Sequence, residues 1–170
     1  PVPFAMARRT GPMTRFIAVI EPYRGKSRLR GVRRLRAEIV EISTETGALN
    51  QYPYGFASRF EDEGRGTNPE EILGAAHAAC FTMAFSFACD KFGLATTDVD
   101  TQATVRLSKQ GEGFVIDRII LSLQATVPGI DDAKFQEIAE TAKRECPLSK
   151  ALATVPEIIL VATLRSKINV

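Results

Sequence analysis

Four residues offer the softest reactive groups in this chain: Cys80, Cys89, Cys146 and the single histidine, His77. Cys89 follows Cys80 by nine residues, which on a straight helix is roughly 13 Å along the axis and the opposite face. The two cannot bridge within one helix, and Cys89 reads as a small buried hydrophobe. Cys146 directly precedes Pro147, a residue suited to the first helical position. Its sulfur would then sit at a helix N-terminus, where amides and the helix dipole favour a thiolate. A plain capping role is the other reading. His77 lies three residues before Cys80 and shares its helix face. A Cys–His pair is an activated nucleophile in principle, while a lone histidine among alanines is equally an ordinary core residue. The sequence has no CxxC, no zinc-spaced Cys/His cluster, no glycine-rich phosphate loop and no GxSxG, so no bound metal or cofactor is expected.

The element that must position these groups runs from Thr67 to Leu94 and is the longest apolar stretch. Asn68 can cap it, Pro69 and the acidic Glu70 and Glu71 suit its first turn, and Gly93 can end it. It is apolar on nearly every face, which predicts a central helix surrounded by protein. His77, Thr82, Ser86 and its Gly/Ala content argue against a membrane span. Before it, Leu35–Ile42 alternates as a half-buried strand, Thr46-Gly47 turns, and Ala48–Tyr54 continues in extended pieces. Gly55–Phe60 reads as a strand end, followed by a polar loop over Glu61–Gly66. After it, Val99–Ser108 and Phe114–Val127 predict an antiparallel hairpin around Gln110–Gly113. Val115, Ile119, Leu121, Leu123 and Ala125 are expected on one side of its second strand. Asp131 or Asp132 starts a helix ending at Glu145, a short helix follows Cys146-Pro147 to Ala153, and Pro156–Leu164 is a final strand. Hairpins around a buried helix with further helices outside predict an α+β fold.

A length of 170 residues fits one domain with a real core. The net charge of +2 conceals an asymmetry, because ten of the 22 Lys+Arg and only one of the 20 acids precede residue 37. The rest of the chain is acidic, at about −7, behind a basic arm. That arm is an extension of open role. With no tryptophan and 8% aromatic residues, it lacks the stacking groups of a single-strand binder, so a nucleic-acid partner is not expected. Three widely spaced cysteines do not make a secretory framework, and the compartment reads as cytoplasmic.

YPYGFASRF, GTNPEEILGAAHAACFTMAFS, VPGID and AKRECPLSKAL together resemble the osmotically inducible protein C (OsmC) and organic hydroperoxide resistance family. The AAHAAC helix is similar to the OsmC branch. The resemblance covers about Ser43 to the C-terminus, leaving residues 1–34 as an unmatched extension and 35–170 as the family domain. It implies an OsmC-like fold, antiparallel sheets around a long buried helix in an intertwined homodimer, and a thiol peroxidase in stress defence. Cys80 would be the peroxidatic cysteine and Cys146 the resolving one, joining in a disulfide that an external dithiol of the lipoyl type reduces. Arg59, in the SRF motif, would lower the Cys80 pKa and orient the peroxide. Glu70, in the NPE motif, would hold Arg59, with Glu71 as the adjacent alternative. The hydroperoxide-resistance branch lacks the histidine, so His77 stays outside the catalytic set.

Physical chemistry adds three expectations. An alkyl hydroperoxide brings an apolar tail that Phe81, Met83 and Phe85 would line, favouring organic substrates over hydrogen peroxide. Such a pocket raises a thiol pKa, so a cation is needed to recover the thiolate, and Arg59 supplies it. Ten residues of helix place Glu70 roughly 15 Å from Cys80 along the axis, so each site is expected to be built across a dimer with Glu70 from the partner. Two rival readings remain: a binding module acting through the basic arm, and a cysteine hydrolase using Cys80 and His77.

Overall fold

Capping and periodicity place most elements where the sequence puts them. The structure, a computed structural model, describes residues 29–35, 39–60 and 66–165. Most of the basic arm, and the loop over 61–65, lie outside the described residues. The chain divides into two units, Pro1–Ile72 and Leu73–Val170.

In the first unit, β1 (Leu29–Leu35), β2 (Ile39–Thr44) and β3 (Tyr52–Tyr54) form an antiparallel sheet in that order. Residues 29–34, grouped with the extension on sequence grounds, thus belong to β1. Gly55–Phe60 is not a strand end: Phe56–Phe60 is a short helix, α1. The Ser58 hydroxyl accepts from the Gly55 N–H at 2.9 Å and lies 2.8 Å from the Thr67 carbonyl, which turns the chain into a helix. Phe56 and Phe60 are four apart and stack at 4.8 Å, a helical spacing that strand alternation obscured. Gly66 closes this unit against β3. It has φ +118°, and a Cβ there would stand 2.2 Å from the Pro53 carbonyl oxygen, so only glycine fits.

The central helix, α2, spans Pro69–Lys91. The Asn68 side chain accepts from the Glu71 N–H at 2.8 Å, as a cap should. At the other end Gly93, at φ +68°, lets its own N–H and that of Leu94 satisfy the Asp90 and Cys89 carbonyls. By length and composition α2 could cross a membrane, but Gly74, His77, Ala78, Phe81, Phe85, Ala88 and Cys89 are buried against their own unit, as in a soluble core helix.

In the second unit β4 (Asp98–Gln110) and β5 (Gly113–Thr126) form the expected antiparallel hairpin, with Gly111 in the left-handed conformation at its turn. A β-bulge at Asp117 breaks the strict alternation, since Arg106 pairs with Arg118 and Leu107 with Ile116. One extra residue reverses the faces, so Ile116 takes the inward position and Val115 is exposed. α3 (Asp132–Glu145) starts at Asp131, whose side chain accepts from the Lys134 N–H, and buries Phe135, Ile138, Ala139 and Ala142. α4 (Pro147–Ala151) follows, and β6 (Glu157–Leu164) returns parallel to β5. A crossover through two helices is long enough to bring the chain back in the same direction.

One core joins these elements. Phe81, Phe85, Ala88 and Cys89 from α2 meet Leu121, Leu123 and Ala125 from β5 and Phe135, Ile138 and Ala142 from α3. Phe85 and Phe135 meet edge to face at 5.6 Å. Burial of each such large side chain contributes about 1.5–3 kcal/mol. Gly74 lets α2 approach β4, because a Cβ there would lie 3.1 Å from the Ala103 carbonyl oxygen.

Candidate active site

Cys80 and Cys146 are 66 residues apart in sequence, and their sulfurs lie 3.5 Å apart as free thiols. α2 presents Cys80 from one side. The α3–α4 junction presents Cys146 from the other, as the residue before Pro147 at the start of α4. Cys146 is fully buried, whereas Cys80 is partly exposed. Cys89 lies elsewhere in the core, and burial together with the neighbouring Asp90 carboxylate pushes its thiol up to about 11.

The surroundings of these two sulfurs differ. The Cys146 thiol is held well below its ordinary range, first by its hydrogen bond with Cys80, then by the His77 imidazole and the Ser149 amide and hydroxyl; burial opposes this. Cys80 shifts the other way, raised by the same contact with Cys146 and by burial, with the Leu148 amide opposing. The two thiols titrate as a pair, which gives up its first proton easily and holds its second tightly. Cys146 makes no side-chain cap bond at the start of α4; the Leu148 amide favours the charged form of Cys80 and the Ser149 amide that of Cys146.

The helix places its other candidates by angle. Ala76, Met83 and Phe87 form an exposed apolar stripe along α2, and Cys80 borders it; Phe87 is 61% exposed. The described residues thus leave this side of the helix uncovered. Phe81 and Phe85 lie on the opposite, fully buried face, so the three residues expected to line a pocket do not share a face. Met83 lies one turn after Cys80, and Phe87 lies seven residues after Cys80, two turns along the same face.

His77 is buried, and its Nε2 lies 2.9 Å from the Ser149 hydroxyl. Within the first unit Arg59 pairs with Glu70 through both carboxylate oxygens, Nε donating to Oε2 at 3.0 Å and Nη2 to Oε1. Glu71 instead accepts from the Thr67 hydroxyl at 2.6 Å. The structure thus decides between the two adjacent glutamates in favour of Glu70. Among the described residues no group of three or more His, Cys, Asp or Glu side chains could hold a metal.

Comparison with known proteins agrees with the motifs. The profile of the family described as OsmC-like protein matches residues 61–161. The chain is 50% identical over 125 residues to Peroxiredoxin OsmC of Escherichia coli (strain K12), covering 74% of this chain and 85% of that protein. It is 37% identical over 90 residues to an organic hydroperoxide resistance protein of Xanthomonas axonopodis pv. citri, covering 52% of this chain and 61% of that one. The crystal structure of the organic hydroperoxide resistance protein OhrB of Bacillus subtilis superposes with a TM-score of 0.62 at 25% identity, over 83% of this chain and 98% of that one. This chain belongs to the OsmC-like family.

Proposed function

We infer that the protein is a thiol-dependent peroxidase that reduces organic hydroperoxides to alcohols. The observation that carries this reading is the 3.5 Å contact between a partly exposed and a fully buried free thiol. As a thiolate, Cys80 attacks the terminal peroxide oxygen. The O–O bond breaks, the alcohol leaves, and Cys80 becomes a sulfenic acid. Cys146 then attacks that sulfur, a disulfide forms, and water leaves. An external dithiol, of the lipoyl type, returns both cysteines to thiols and is itself oxidised to a disulfide. Met83 and Phe87 line the approach to Cys80 and suit an alkyl tail, with Phe81 and Phe85 backing α2 from the core. Hydrogen peroxide gains nothing from such a wall.

Burial and the contact with Cys146 both raise the Cys80 thiol, so a nearby cation would help it to attack as a thiolate. Arg59 is that cation, oriented by Glu70. Ten residues of continuous helix separate Glu70 from Cys80, and the Arg59–Glu70 pair closes within one chain. The pair therefore serves the site of a second copy, in a homodimer whose partner covers the apolar stripe of Ala76, Met83 and Phe87. Cycling through free thiols suits the reducing cytoplasm. No step of this reading uses residues 1–34.

The test is a peroxidase assay with dihydrolipoamide as reductant, comparing cumene hydroperoxide with hydrogen peroxide. Wild type should favour the organic substrate and Cys80→Ser should be inactive. Equal inactivity of the two proteins overturns the assignment.

A further inference from the structure

His77 is left over by this mechanism, and its surroundings give it work. It is fully buried on α2 one turn before Cys80, and its Nε2 meets the Ser149 hydroxyl, itself buried, at 2.9 Å. Its Nδ1 is buried and has no hydrogen-bond partner among the described residues. A buried polar atom left unpaired costs about 1–3 kcal/mol, so a histidine kept only for packing would be a poor choice beside Phe81 and Phe85. Ser149 is the third residue of α4, and the start of α4 carries Cys146. His77 and Ser149 therefore clamp the α2 segment that bears Cys80 to the α4 segment that bears Cys146. The ionisable side chains that act on the Cys146 thiol are Cys80 and His77, both from α2, with Ser149 from α4.

We propose that His77, through Ser149, is a positioning residue for the resolving step, holding the Cys146 sulfur as a thiolate aimed at Cys80. The inference rests on the peroxidase reading and adds a division of labour: the Arg59–Glu70 pair serves the attack on peroxide, and the His77–Ser149 pair serves disulfide closure. In that closure the Cys146 sulfur forms the S–S bond and is oxidised. The Cys80 sulfenic sulfur is reduced as its S–O bond breaks. Hydroxide leaves as water with the proton that Cys146 gave up. His77 exchanges no atoms with the substrate.

The two readings are separated by following the steps independently. Wild type treated with one equivalent of tert-butyl hydroperoxide should form the Cys80–Cys146 disulfide; if it forms none, the peroxidase reading falls. In His77→Leu and Ser149→Ala, rapid quenching with a sulfenic-acid trap should show closure slowed about tenfold relative to peroxide consumption. Trapped and over-oxidised Cys80 should accumulate, and His77→Gln, which keeps an amide donor near the Nε2 position, should recover part of the rate. In a Cys80→Ser background, where no peroxide chemistry is possible, thiolate absorbance should show the Cys146 midpoint about one pH unit higher with His77→Leu than without it. The Cys80→Ser/Cys146→Ser protein serves as the blank. Should His77→Leu fail to fold, Ser149→Ala and His77→Gln carry the same comparison. An unchanged midpoint together with an unchanged ratio of closure to peroxide consumption overturns the proposal.

Discussion

Oxidation by one equivalent of organic hydroperoxide should stabilise the protein by an amount that its topology sets. The two sulfurs start 3.5 Å apart, and a disulfide requires about 2.05 Å. The movement of about 1.5 Å is within reach of a side-chain rotation, so the core around Cys146 need not repack. The bond would close a loop spanning 66 residues of sequence, and in the chain-entropy account a loop of that length removes about 4 kcal/mol of freedom from the unfolded state. For a chain of this size each kcal/mol corresponds to about 2–4 °C, so the melting midpoint should rise by about 10 °C. The assay is differential scanning calorimetry of reduced and hydroperoxide-treated protein at equal concentration. The shift should vanish on adding dithiothreitol and be absent from Cys146→Ser. A wild-type midpoint that does not move, or one that moves equally in Cys146→Ser, would refute the pairing of these two cysteines.

Other substitutions test separate parts of the structure. Gly74→Val should destabilise by about 1–3 kcal/mol in urea unfolding, because even a Cβ there crowds the Ala103 carbonyl oxygen at 3.1 Å. Cys89 should resist iodoacetamide at pH 8 in the native protein, its thiol being buried and raised to about 11, and should react once the chain is unfolded. The Arg106 guanidinium hydrogen-bonds Asp117 and lowers its carboxyl to about 2 from 3.8. A depressed carboxyl stabilises the fold above its unfolded pKa and loses that contribution as pH falls through the folded one. Asp117→Asn should therefore flatten the acid limb of the stability curve between about pH 4 and 2. Arg59→Ala and Glu70→Gln should each lower kcat/KM for cumene hydroperoxide by about tenfold or more, while disulfide closure, once Cys80 is oxidised, proceeds at the wild-type rate. Loss of closure with retained peroxide attack would reverse the roles given to the two pairs.

By itself the sequence determined the elements whose signals lie within a few residues of one another. Asn68, Pro69 and Gly93 delimit α2, Asp131 and the spacing of Phe135, Ile138 and Ala142 define α3, and alternation around Gly111 gives the hairpin. Capping bonds and periodic burial are local, so a linear reading reaches them. The motifs around Cys80 and Cys146 carried the family as well. Local patterning failed where a distant group intervened: Ser58 bonding to Thr67 made α1 a helix, and the bulge at Asp117 moved Val115 out of the core face. Only the tertiary structure decided what stands beside what. It brought Cys146 to 3.5 Å from Cys80, chose Glu70 over Glu71 for Arg59, turned Phe81 and Phe85 inward while leaving Met83 and Phe87 outside, and set Ser149 against His77. These are contacts between side chains whose directions depend on helix rotation and on packing across the core. No spacing along the chain encodes them.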